Sequence, residues 1–135
     1  MKIKNILFLI AVVTTLNVFS QNQNTKTLYT FGGKSGNCTM TWDEFKKCKK
    51  ELTPIDKSLK INSFNISILV VSPDGKDSTY TDFSNTGNAF SSQANETFDI
   101  LISGKHVSNK ILIEEVQIAE GDKIIKVPGM VITLK

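Results

Sequence analysis

Arginine is missing from this sequence: all 16 of its basic residues are lysine. Without a guanidinium fork the chain cannot grip phosphate or carboxylate in the bidentate way that arginine allows. Histidine is nearly missing too. His106 is the only one, and it sits in a polar stretch from Gly104 to Asn109 that reads as loop rather than as the seat of a catalytic base. The two cysteines, Cys38 and Cys48, with that one distant imidazole are too few for a structural or catalytic zinc site. No serine stands in a nucleophile-elbow pattern. Glu114 and Glu115 are neighbours on an expected strand, so alternation sends them to opposite faces and denies them a carboxylate pair. Asp74, Asp77 and Asp82 lack the Asp-x-Asp-x-Asp-Gly spacing of a calcium loop. Gly32-Gly33-Lys34-Ser35-Gly36 lacks the spacing of a phosphate loop. We therefore assign no catalytic, cofactor-binding or metal-binding residue and expect a protein that is not an enzyme.

Long apolar runs are also scarce. The first, Ile6 to Leu16, follows Lys2 and Lys4 and precedes Val18 and Ser20, which are small enough for the −3 and −1 positions of a signal-peptidase site. A membrane anchor needs roughly 20 consecutive apolar residues, and this run is shorter and gives way to Asn17, Gln21 and Asn22. We expect residues 1–20 to be a cleaved leader, with the cut between Ser20 and Gln21 and no stable membrane anchor afterwards. No cysteine lies near the cut, so lipid attachment there is excluded. The leader carries Lys2 and Lys4 and no acid, so the formal net charge of +3 overstates the mature chain, which is close to neutral. That argues against nucleic acid as a partner. Residues 21–26 are polar and read as a flexible tail, and 27–135 has the length of a single domain.

Export puts Cys38 and Cys48 in an oxidising compartment. The nine residues between them are not a redox Cys-x-x-Cys motif, and we expect a structural disulfide. Thr41-Trp42-Asp43-Glu44 has capping-box spacing and predicts a short helix from Trp42 to about Lys50, with Trp42, Phe45 and Leu52 toward the core. Lys46, Lys47, Lys49 and Lys50 suit its C-terminal half, and with Lys57 and Lys60 they read as a solvated face.

The rest of the chain reads as strands. Thr27 to Phe31 is the first. Leu59 to Ser72 is the strongest, with Phe64, Ile66 and Ile68 alternating against Asn65 and Ser67 before the continuous Leu69-Val70-Val71. That change predicts either burial on both faces or a bulge. Pro73-Asp74-Gly75 is a turn that should return the chain as Asp77 to Phe83. Asn85 to Asn88 is another turn. Ser91 to Ile102 fits both periods; we read it as a helix capped by Ser92 or Asn95. Lys110 to Ala119 is a strand with Ile111, Ile113 and Glu115 on one face and Leu112, Glu114, Val116 and Ile118 on the other. Ile124 to Val127 and Met130 to Leu134 follow, separated by Pro128-Gly129. The expected fold is mainly β, of the α+β class: an antiparallel, β-sandwich-like domain with one or two short helices.

From Leu59 to Lys135 the order of features resembles the C-terminal periplasmic domain of GldM, a gliding-motility and type IX secretion protein of Bacteroidota. The stretches that carry the likeness are Ser63 to Ser67, Gly87 to Phe90, Ile111 to Ile118, the turn at Gly121, and Val127 to Ile132. GldM-type chains keep a membrane helix and several periplasmic domains, which this sequence does not show. The resemblance implies a stand-alone module in the periplasm or outside the cell that binds another envelope or secreted protein. Tyr80, Phe83, Phe90, Met130 and Ile132 are the expected partner surface. The alternative is a secreted inhibitor or immunity-type protein that presents the loop from Gly32 to Cys38 to a target enzyme.

Overall fold

The computed structural model describes residues 27–103 and 107–135. The expected leader 1–20 with its Ser20/Gln21 cut, the tail 21–26, Gly104 and His106 lie outside them. Eight strands and two helices follow in the order β1 (Tyr29–Phe31), β2 (Cys38–Met40), α1 (Trp42–Lys47), β3 (Leu52–Pro54), β4 (Leu59–Val71), β5 (Ser78–Thr86), α2 (Ser92–Ser103), β6 (Val107–Glu120), β7 (Lys123–Val127) and β8 (Met130–Leu134). The protein is a β-rich α+β fold.

Two long strands carry it. β4 pairs antiparallel with β5 on one side and with β6 on the other. Along its far side β6 pairs first with β7 and then with β8, both antiparallel and in one continuous register, Val116 to Val127 and Ile113 to Met130. Strands β7 and β8 are thus one long strand broken at Pro128-Gly129. The break has a cause in composition: proline supplies no ladder donor and glycine packs nothing. The six-stranded sheet runs β2-β8-β6-β4-β5 with β7 on the β8 side. Its edge strand β2 lies parallel to β8, so the sheet is mixed rather than purely antiparallel. The second layer is not a full second sheet: it is the two-stranded β1–β3 pair with the helices.

The helices form where their caps are. Thr41 Oγ1 accepts from Glu44 N at 3.1 Å, and Thr41 N donates to Glu44 Oε2 at 2.7 Å, a complete capping box. The helix stops at Lys47, a turn earlier than its lysine run predicts, because Cys48 is extended and Lys50 turns back. The Lys50 ammonium donates to the Phe45 carbonyl and, at 2.9 Å, to that of Cys48, where cations best offset the helix dipole. Ser91, rather than Ser92 or Asn95, caps α2: its hydroxyl accepts from Ala94 N at 3.2 Å. Asn85 ties this start to β5, accepting from Ser91 N at 2.7 Å while donating to the carbonyls of Phe64 and Phe83.

One face of the sheet is the floor of the core. Ile66, Ile113 and Met130 form one buried row across it, and Ile68, Ile111 and Ile132 the next. On this floor sits an aromatic cluster in which Phe31 stacks on Phe90 at 5.4 Å and Phe45 meets Phe98 at 4.9 Å. Ala94, Phe98 and Leu101 bring α2 into it.

Candidate functional site

The other face of the sheet is open, and its character turns on a change of phase. In β6 the buried residues are Ile111 and Ile113, then Val116 and Ile118. Strict alternation cannot bury both pairs, so the strand must spend one extra residue between them. It does so at Glu115, the one non-glycine residue with positive φ (49°) among those described. A left-handed conformation costs an ordinary side chain about 1–2 kcal/mol, and here it returns Val116 and Ile118 to the core. β4 changes phase at the same height, from Leu59 and Ile61 to Phe64, Ile66 and Ile68, through the irregular pairing around Ser63. The two shifts compensate, and the register on either side is the same. The broken strand opposite accommodates the bulge. A Cβ on Gly129 would stand 2.2 Å from the Ile113 carbonyl oxygen, so only glycine lets the backbones come this close.

The bulge overturns the expected separation of the two glutamates. Both are exposed and both serve the open face. Ser67 Oγ donates to Glu114 Oε2 at 3.2 Å, and Asn65 Nδ2 donates to Glu115 Oε2 at 2.9 Å. Asp82, which pairs with Ser67 across the ladder, joins them. These five residues line a shallow recess of about 250 Å³. A second, of about 390 Å³, lies on the other side of Glu114 and Glu115 and is closed by Asn37, Leu112 and Gly129 to Val131. The phase of the apolar residues was the available signal: two pairs out of step, with Glu-Glu at the break, mark a bulge.

Of the expected partner surface, Tyr80 alone is plainly exposed, at 49 %, on the same face as Asp82. Phe83 is half-buried against the core. Phe90, Met130 and Ile132 are core residues and are withdrawn as contact residues. Phe90 stacks on Phe31 and meets Phe64 at a tilt, and the other two face inward from β8, where a partner cannot reach.

Cys38 and Cys48 are both free thiols, so the pairing expected from the sequence is not seen. Cys38 lies in β2 opposite Ile132. Cys48 is the C-cap of α1, not an interior helical residue, and its Sγ donates to the Phe45 carbonyl at 3.2 Å. Burial pushes both thiols up, against the opposing pull of Lys34 on Cys38 and of Lys50 on Cys48, which keeps them protonated and weakly nucleophilic. Burial also pulls Lys50 down, and its ammonium lies 4.3 Å from the Phe45 ring centre. Asp74 does turn chemistry: Ser72 Oγ and Lys76 N both donate to its Oδ1, at 2.6 and 3.0 Å, and hold its carboxyl below the usual range. Among the described residues no three His, Cys, Asp or Glu side chains converge as a metal site requires.

A scan of protein-family models finds no match to the chain, and searches of curated proteins and of solved structures find none either.

Proposed function

We propose that this chain is an exported, non-enzymatic protein-interaction domain of the bacterial envelope, which binds another envelope or secreted protein through the open face and edge of its main sheet. The observation that carries the reading is the bulge at Glu115. It holds a strained backbone in place and, by doing so, sets Glu114 and Glu115 beside Asp82, Asn65 and Ser67 on an uncovered sheet face. The core accounts for the bulge, and what supports the reading is its result: three carboxylates gathered on one exposed polar face of the sheet. The sequence resemblance of residues 59–135 to the GldM C-terminal domain supports an envelope setting linked to type IX secretion or gliding.

The test uses the mature chain from Gln21, immobilised and exposed to an envelope extract, beside a Glu114→Lys/Glu115→Lys variant. A protein retained by the wild type and lost by the variant is the expected result. Equal recovery by both, or none by either, overturns the reading. Terminal sequencing of the exported protein should begin at Gln21.

A second reading, an inhibitor that inserts the loop from Gly32 to Cys38 into an enzyme, has one feature in its favour. That loop is braced across itself by Lys34 Nζ donating to the Thr39 carbonyl at 2.8 Å, and is tied to β8 by Val131 N donating to Asn37 Oδ1 at 2.8 Å. Inhibition assays against co-encoded hydrolases separate the two.

A further inference from the structure

The sheet's edges are guarded unequally. An unpaired strand edge offers a row of backbone donors and acceptors to any other chain, and proteins blunt such edges with short strands, lysine or proline. β2 has three residues, Cys38–Met40. β7 has five and carries Lys123 and Lys126. β5 has nine, Ser78–Thr86, with neither lysine nor proline. Among the described residues it pairs on one side only, with β4.

β5 does carry one charge, Asp82, and its place is informative. Asp82 is the middle residue of Ser78–Thr86. If two copies paired their β5 strands antiparallel in full overlap, Asp82 would face Asp82. Like charges directly opposite across a ladder are destabilising, and here Glu114 and Glu115 on the same face add to the repulsion. Lys110, also on this face through its pairing with Leu69, already has a partner. The charge that rejects a second copy attracts an opposite one. A foreign strand laid along β5 with a cation opposite Asp82 would pair that cation with Asp82, on the face that Glu114 and Glu115 also make acidic. The neighbouring positions set the rest of the pattern. Tyr80, on the same face as Asp82, offers an exposed ring to an apolar side chain, and Phe83, on the other face, offers its uncovered part to another.

We propose that β5 takes up an extended segment of a partner protein as a further strand of the sheet, with a lysine or arginine of that segment seated opposite Asp82 on the acidic face. The proposal rests on the reading of this chain as an interaction domain and names the edge and the chemistry of its partner. Main-chain hydrogen bonds supply the affinity of such strand addition, and alternate side chains supply the specificity.

The probe is a nine-residue peptide of valine and threonine with one lysine at its centre, with a glutamate-centred peptide as control, titrated against the mature chain and followed by amide hydrogen exchange. Binding of the lysine peptide alone, with slowed exchange confined to β5, is the expected result. Asp82→Lys should weaken it by about tenfold or more, since charge reversal turns attraction into repulsion. The Asp82→Thr variant should self-associate in sedimentation at high protein concentration, where the wild-type chain stays a monomer. Failure of the lysine peptide to bind, binding without protection of β5, or a wild-type dimer built on β5 overturns the proposal. The envelope-extract experiment is independent of the peptide: a partner retained there while the peptide fails keeps the interaction domain and removes strand addition.

Discussion

The two faces of the six-stranded sheet are made of the same strands and follow different rules. On the inner face, Phe64, Ile66, Ile68, Ile111, Ile113, Val116 and Ile118 are buried to a few per cent or less. On the outer face stand Asn65, Ser67, Leu112, Glu114 and, from β5, Asp82, with Ser67 donating to Glu114 and Asn65 to Glu115. The difference teaches what the bulge is for. Without the extra residue at Glu115, Val116 and Ile118 would point outward and the lower half of the inner face would lose its apolar floor. Continuity of the core therefore places the carboxylates, and the open face inherits them.

Substitutions on the two faces should separate by size. Phe64→Ala removes a fully buried ring and should cost about 3–5 kcal/mol in chemical denaturation. Gly129→Ala forces a methyl against the Ile113 carbonyl oxygen and should cost about 2–3 kcal/mol by overpacking, or more if the break cannot widen. A third probe is pH. Burial raises the Tyr29 hydroxyl to about 12, and it donates to the Pro128 carbonyl at 2.9 Å. The folded chain thus keeps a proton that an unfolded tyrosine loses near pH 10. Its contribution is complete below that pH and is lost as pH rises toward about 12, a fall of about 2–3 kcal/mol that Tyr29→Phe should abolish. Glu115→Gly should gain about 1 kcal/mol by relieving the left-handed strain; a loss would show that the contact with Asn65 outweighs that strain. Glu114→Gln should move stability by less than about 0.5 kcal/mol while weakening partner binding, which is the sharpest form of the comparison.

The strand periods, the turn at Asp74 and the capping box at Thr41 were legible because each is written within a few neighbouring residues. The end of α1 was not, because Lys50 closes it from outside the helical pattern. Nor was the burial of Phe90, Met130 and Ile132. An isolated aromatic after a turn and a short terminal strand look alike whether they face a core or a partner. The pairing of β8 with both β6 and β2 sends Met130 and Ile132 inward.

By itself the chain determined its class: short apolar alternations, local turn chemistry and one cap are enough for a β-rich α+β domain with brief helices. Only the folded sheet decided where Glu114 and Glu115 stand. Two residues side by side on a regular strand must face apart, and it took the demand of a continuous core across β4 and β6 to break that alternation and turn both to the same side.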